Sequence, residues 1–338
     1  MPAKKKEKLP ASTVEELLKK YEGQLFRGSS DSFRYNRIPF DIPALDDLIG
    51  GGIPKKRLTI LAGQSNAGKS YLASQSVVQI QKNGGRAAWI DTEMSWDPGW
   101  MQTCGIDIDT IVLSQPTTGE EAFGLIRDLL KDGVDLVVLD SIAGLVPSAM
   151  GDEDFGFNPM AWQARFVNQS LPRIIPSLSE GGALIAINQL RAGIGAVAFL
   201  DSMPGGKAQS FFAHLVLQVR REGWIIEGPE KEKVGMDIEI RNRKSKAGGQ
   251  HQQACTIPFR FNGGFDIVET FIREGIKYDL ILKSGAWYQI FDNETKVAGM
   301  NNVKQFFLDN PKQWESLVSQ VNERGDIDKV RRVLVDAS

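Results

Sequence analysis

The chain has 338 residues, 42% of them hydrophobic, and a formal net charge of −2. That length suits one large domain with one or two small ones, and the balanced charge argues against a globally basic nucleic-acid binder, so any such contact must come from a local patch. Cys104, Cys255, His214 and His251 lack metal-ligand spacing, no apolar run is long enough to span a bilayer, and no signal-peptide core opens the chain, so zinc, a disulfide framework and a membrane span are not expected and a reducing cytoplasm is.

Lys4, Lys5, Lys6 and Lys8 read as a solvated basic tail. Residues 12–26 predict an amphipathic helix. Ser12 and Glu15 have the spacing of a capping box, and Val14, Leu17, Leu18, Tyr21 and Leu25 recur at helical period. Its apolar face must be covered, by its own domain or by a neighbouring subunit. Residues 27–48 are rich in loop formers. From about 38 to 265 strands and helices alternate, with strand candidates at 58–62, 86–91, 134–140, 183–188, 214–220, 236–241 and 254–259. This pattern predicts an α/β core with a mostly parallel sheet and helices on both faces.

The first of these strands runs into Gly63-Gln64-Ser65-Asn66-Ala67-Gly68-Lys69-Ser70, followed by a helical pattern that starts at Tyr71. G-x-x-x-x-G-K-S between a strand and a helix is a phosphate-binding loop. Backbone N–H groups wrap the phosphates, so Gly63 and Gly68 exclude bulk. Lys69 sets a cation on the β- and γ-phosphates, and the Ser70 hydroxyl suits Mg²⁺. ATP and Mg²⁺ are therefore the expected ligands.

Three later strands end in side chains suited to the same chemistry, because such sheets bind ligands beyond the carboxyl ends of their strands. Ala87–Asp91 leads into Thr92-Glu93, and Glu93 is placed to activate the attacking water; the alternative is a solvated glutamate. Val134–Leu139 ends in Asp140-Ser141, where the acid orients the metal. Ala183–Asn188 ends in Gln189, a candidate γ-phosphate sensor at the root of a long loop. Thr118 and Glu121 cap a predicted helix over 120–131. Residues 147–160 and 191–207, rich in Gly, Ala, Ser, Asp and Pro, take no element, and long loops of this kind are usually functional. Arg241, Arg243, Lys244 and Lys246 read either as a solvated face or as a source of transition-state charge. Beyond 269 the texture changes. Helical patterns at 269–284 and 301–323 flank a hairpin-like piece, residues 286–290, and predict a small α/β domain.

These motifs together resemble the RecA family of recombinases over about three quarters of the chain. The resemblance rests on Gly63–Ser70, Ile90-Asp91-Thr92-Glu93 with Asp97-Pro98, Ser114-Gln115-Pro116, Leu139-Asp140-Ser141, Ile187-Asn188-Gln189-Leu190-Arg191 and Gly205-Gly206. It implies a RecA-like phosphate-loop ATPase core over 38–268, an N-terminal helix and linker over 1–37 for subunit docking, and a small C-terminal α/β domain over 269–338. It also implies a DNA-dependent ATPase that forms helical filaments on single-stranded DNA and exchanges strands with double-stranded DNA. Glu93 resembles the water-activating glutamate and Gln189 the sensor. Asp97 and Trp100 match positions that read adenine. Lys244 and Lys246 match lysines that reach the γ-phosphate of the next subunit, and Phe211 resembles a subunit-interface anchor. Residues 150–160 and 190–207 match the two DNA-binding loops, and Met160, Arg165, Ile194, Gly205, Gly206 and Lys207 match DNA-contacting positions. Arg191 adds charge beside them. Pro172 departs from the family's basic residue and is expected to kink its helix, with Arg173 as a substitute DNA contact. A ring-forming ATPase of the same superfamily, without strand exchange, is the alternative; the helix at 12–26 and the Gly205-Gly206 loop argue for the filament.

Overall fold

The computed structural model describes residues 11–23, 25–28, 30, 36–146, 159–190, 203–291 and 295–335; at 11–13, 159–162, 207 and 326–335 only the backbone is described. The chain falls into two units, Met1–Asn36 and Arg37–Ser338. In the first, α1 (Ala11–Lys20) ends in Lys19 and Lys20, whose charges suit the carbonyl end of a helix. The helix is shorter than its apolar pattern predicts. It gives way to a turn in which Gly23 takes a left-handed φ of 78°. Val14, Leu17, Tyr21, Leu25 and Phe26 are exposed. The Ser12 side chain of the expected capping box lies outside the described residues.

The second unit opens with β1 (Arg37–Ile38), α2 (Pro43–Ile49) and β2 (Ile53–Pro54), with β1 and β2 paired antiparallel. Then come β3 (Leu58–Gly63), α3 (Lys69–Lys82), β4 (Ala87–Asp91), α4 (Pro98–Thr103), β5 (Val112–Ser114), α5 (Gly119–Lys131) and β6 (Leu136–Asp140). Thr118 caps α5 by accepting from Glu121 N–H at 3.2 Å, and Glu121 accepts in return from Thr117 N–H at 2.9 Å. The chain continues through α6 (Pro159–Ile174), β7 (Ala183–Gln189), α7 (Lys207–Phe212), β8 (Leu215–Glu227), β9 (Glu232–Ser245), β10 (Ala254–Arg260) and β11 (Gly264–Phe265). Pro172 does not kink α6 in its middle. It stands in the last turn, and the helix tightens into a 3₁₀ segment at Ile175–Glu180. Near a helix end a missing N–H costs one hydrogen bond and no downstream geometry.

Among the described residues nine strands form the main sheet, in the order β11-β10-β9-β8-β3-β7-β6-β4-β5. From β8 to β5 the pairings are parallel, and β8 through β11 add an antiparallel meander at the other edge. The meander is a difference from the expected alternation of strand and helix. Only the buried parts, the start of β8 and the middle of β9, read as strand candidates, because the rest of each strand is more solvated. The parallel strands are covered on both faces. Leu61 packs with Leu72 and Val77 of α3, whereas its neighbour Ile60 joins Ile126 of α5 and Val167 of α6.

The remainder is α8 (Ile267–Lys277), β12 (Ile281–Ser284), β13 (Trp287–Ile290), β14 (Lys296–Ala298), α9 (Met300–Asp309) and α10 (Pro311–Val335). Its core is a third apolar cluster around Ile272, Tyr288, Val303, Phe307 and Leu317. Two helices differ from the sequence expectation. The helix predicted over 269–284 stops at Lys277, because Asp279 is left-handed with φ 56° and Leu280 N–H bonds back to Gly275 O at 2.8 Å. The single helix predicted over 301–323 is two, broken where Asn310 leaves the helical region (φ −125°, ψ 73°) ahead of Pro311. Among the described residues no helix is long and apolar enough to cross a membrane.

Candidate active site

The carboxyl ends of the parallel strands converge on one edge, and the phosphate-loop residues sit there. The two glycines of the loop are fixed by crowding. A Cβ on Gly63 would strike Val219 O, and one on Gly68, where φ is 94°, would lie 2.7 Å from Ile238 Cδ1. Gln64, Ser65 and Asn66 are exposed, Ala67 is buried and α3 starts at Lys69, so free helix N–H groups face the loop's interior. Lys69 Nζ donates to Gln64 O at 2.8 Å, and burial lowers its pKa against the pull of Asp140 and Glu93. Ser70 Oγ donates to Asp140 Oδ2 at 2.9 Å. This pair of hard oxygens beside an ammonium fits Mg²⁺, which takes few protein ligands and leaves the rest to water and phosphate. Burial, with Glu93 and Asp91 nearby, pushes the Asp140 carboxyl up to about 6, and the Ser70 hydrogen bond and Lys69 oppose it. The Tyr71 side chain turns to the core, where its hydroxyl accepts from Phe265 N–H at 3.1 Å and its ring meets Phe259 edge-on at 4.7 Å.

Glu93 is positioned from several directions. Asp91, fully buried, accepts from the backbone N–H groups of Glu93 (3.1 Å), Ser95 (2.8 Å) and Trp96 (2.9 Å) and from Gln115 Nε2 (2.9 Å). That carboxylate therefore shapes the whole turn that presents Glu93. Ser141 Oγ donates to Glu93 Oε1 at 2.5 Å, and Gln189 Nε2 donates to the same oxygen at 2.7 Å. Ser65 Oγ in turn donates to Gln189 Oε1 at 3.3 Å. In the sequence Asp91, Gln115 and Ser141 stand only as members of motifs. Their roles depend on contacts between distant strands, which no local signal carries.

Next to Gln189, Asn188 is fully buried and donates to Pro204 O at 2.8 Å and Gln209 Oε1 at 2.7 Å. Adjacent residues of β7 thus hold Glu93 on one side and the returning end of the second loop on the other. Gly205 and Gly206 follow, both left-handed with φ of 87° and 78°. A Cβ on Gly206 would come within 3.2 Å of Ala164 and Asn168 on α6. Gly206→Val is expected to weaken single-stranded DNA binding and DNA-stimulated hydrolysis together, since a β-branched residue is strained at positive φ. Filter binding and ATPase assays check this, and ATP affinity held at its wild-type value shows that the core stays folded. Arg165 and Arg173 are exposed on α6. Arg191, Ile194 and the side chains of Met160 and Lys207 lie outside the described residues.

Trp100, 42% exposed, lines a pocket of about 440 Å³ together with Asn66–Tyr71. Asp97 caps α4 by accepting from Trp100 N–H at 2.6 Å, so it orients the indole through the backbone. Trp100→Ala is expected to raise KM for ATP roughly 5- to 100-fold, the range for losing a base–aromatic stack, with a smaller loss of kcat. An unchanged KM would mark a tryptophan with only a packing role.

The basic cluster divides. Arg241 pairs with Glu239 at 3.2 Å, and Arg243 donates to Gln218 Oε1 at 2.8 Å. Lys244 and Lys246 instead converge on Phe211 O, at 3.3 and 3.2 Å, and Lys244 also donates to Ser210 O. Among the described residues neither lysine has a carboxylate partner. Burial, and then Lys246, lowers the Lys244 pKa. Phe211 is 69% exposed beneath the Lys246 ammonium. This cluster is remote from its own phosphate loop. Lys244 pairs with Val216, which pairs with Ile60 near the start of β3, whereas the loop leaves the far end of that strand. Strand β9 thus carries Ile238, at its middle, against Gly68 and Lys244 near its C-terminal end.

A parallel-sheet core with a strand–loop–helix phosphate-loop motif, and a glutamate hydrogen-bonded to a glutamine beside it, defines a nucleotide hydrolase of the phosphate-loop class. Residues 13–266 match the model of the RecA N-terminal domain. The chain is 32% identical to protein RecA of Halalkalibacterium halodurans over 300 residues, 88% of this chain and 85% of that protein. It is 35% identical to protein RecA of Acidothermus cellulolyticus, covering 85% and 83%, and 31% identical to that of Herpetosiphon aurantiacus, covering 98% and 93%. The chain belongs to the RecA family of DNA recombinases.

Proposed function

We propose that this recombinase binds ATP with Mg²⁺ at Gly63–Tyr71, assembles head to tail on single-stranded DNA, and pairs that strand with a homologous duplex. The observation that carries the reading is the unbroken run of contacts from Ser65 through Gln189 to Glu93, and from Asn188 to Pro204 ahead of Gly205 and Gly206. It gives the nucleotide site a direct mechanical connection to the second DNA loop. In hydrolysis Glu93 takes the proton of the water whose oxygen bonds to the γ-phosphorus, and the bond to the β-phosphate oxygen breaks to release ADP. Lys69 stabilises charge on the β- and γ-phosphates. Ser70 and Asp140 would hold Mg²⁺, which supplies further positive charge there when bound. Lys244 and Lys246 would supply charge from the next subunit, with Phe211 at the same interface. Gln189 reports the γ-phosphate, and Arg165, Arg173, Gly205 and Gly206 meet the DNA, with Met160, Arg191, Ile194 and Lys207 in the same role. The domain division at 37 and 268 belongs to this reading, with α1 as the docking helix. A reducing cytoplasm suits its two free cysteines.

Electron microscopy with single-stranded DNA and a slowly hydrolysed ATP analogue tests it. Helical filaments are expected. Closed rings under the same conditions would replace the proposal with a ring-forming ATPase.

A further inference from the structure

The nucleotide pocket has a second wall that the motifs do not account for. Besides the phosphate loop and Trp100 it is lined by Arg221, Trp224, Met236, Phe259 and Phe261, from the antiparallel meander. Trp224 is held firmly yet is 39% exposed. The Arg221 guanidinium stacks over its ring at 4.2 Å, Lys233 Nζ lies 4.6 Å from the ring centre, and Phe261 meets it edge-on at 6.3 Å. Arg221 and Trp224 are three residues apart, so in a regular strand they would face opposite ways. A bulge between Arg221 and Gly223 adds one residue to β8 and brings both to the same face. The hairpin is also anchored to the phosphate loop, because Ile238, paired with Arg221, is the side chain that crowds Gly68.

We propose that Trp224, oriented by Arg221, is a second aromatic wall for the base of the bound nucleoside triphosphate, in addition to Trp100. This rests on the reading of the pocket as the nucleotide site. An indole with cations stacked on it presents a rigid apolar surface at low entropic cost, and the pocket's two indoles come from different parts of the chain, α4 and the hairpin. The wall acts on the base and sugar end of the ligand and leaves the phosphates to the loop. Stacking area then favours purine over pyrimidine triphosphates.

The test compares Kd for ATP with Kd for inorganic tripolyphosphate, which has phosphates and no base, in Trp224→Ala, Trp224→Phe and Lys69→Ala. Trp224→Ala is expected to raise Kd for ATP about tenfold, within the range for a lost base–aromatic contact, and to leave tripolyphosphate binding unchanged. Trp224→Phe should keep most of the ATP affinity. If Lys69→Ala weakens both ligands while Trp224→Ala weakens neither, the second wall is wrong and the phosphate site stands. Equal weakening of both ligands by Trp224→Ala also overturns it, since the hairpin would then act on the loop alone. The proposal equally fails if Trp224→Ala lowers affinity for single-stranded DNA in the absence of nucleotide and leaves ATP affinity intact. Wild-type binding of both ligands by Lys69→Ala would remove the nucleotide-site reading itself.

Discussion

Glu93→Gln is expected to lose ATP turnover by about 10²–10⁴-fold, the usual worth of a general base, while ATP and single-stranded DNA still bind. The geometry explains why the change is clean. Ser141 and Gln189 both donate to Glu93 Oε1, and a glutamine carbonyl accepts the same two hydrogen bonds. The turn that carries residue 93 is held by Asp91, which the substitution does not touch. What is lost is the second carboxylate oxygen, which takes no hydrogen bond among the described residues and is replaced by an NH₂ group that cannot accept a proton. Single-turnover hydrolysis and equilibrium nucleotide binding separate the two effects. Wild-type turnover would return Glu93 to an ordinary solvated glutamate.

The second large effect concerns Lys244 and Lys246. Together Lys244→Ala and Lys246→Ala are expected to cost roughly 10²–10³ in turnover, as lost transition-state donors do. Two ammoniums that meet on one backbone carbonyl, with no carboxylate among the described residues to neutralise them, are poised for an anion. Sheet pairing sets Lys244 level with Ile60, away from the end of β3 where their own phosphate loop leaves, so on the proposed reading the anion belongs to another copy. Mixing the double variant with Lys69→Ala should restore activity. Random equal mixing puts both intact halves at about a quarter of the interfaces of a head-to-tail polymer. If no mixing ratio restores turnover although the variants are shown to co-assemble, the shared site is wrong.

Much of the candidate nucleotide site's local structure was legible because its constraints are local. Gly63 and Gly68 are required by close backbone and side-chain approach, and the strand before them and the helix after them have clear periods. Thr118 and Glu121 announced α5 for the same reason. What escaped the sequence was set by distant partners. Val112–Ser114 is a three-residue edge strand with exposed apolar side chains, so it shows no strand pattern. Residues 281–284 form a strand against β13 instead of continuing the helix, after Asp279 turns left-handed. Gln115, Ser141 and Asn188 carry the site's hydrogen bonds, yet nothing near them in sequence says to whom. The division of the basic cluster also depended on Glu239, two residues before Arg241 on the same face of β9, and on Gln218, which sheet pairing brings to Arg243.

Strand β9 has a consequence for timing. Ile238, mid-strand at Gly68, and Lys244, near the strand's C-terminal end, are about 20 Å apart along one backbone, at the rise of an extended strand. β8 pairs with β9 from Glu232 to Ser245 and β10 pairs with it from Gly235 to Arg241, which stiffens the strand. In a head-to-tail polymer those two points would sit in consecutive nucleotide sites, so each protomer would act as a rigid spacer between two reaction clocks. Movement of one phosphate loop after hydrolysis would displace the lysines serving the next site. Phosphate release should then run as an ordered sequence from one polymer end, with a lag that grows with DNA length. A release rate per subunit that is independent of length would show that the sites fire without reference to one another.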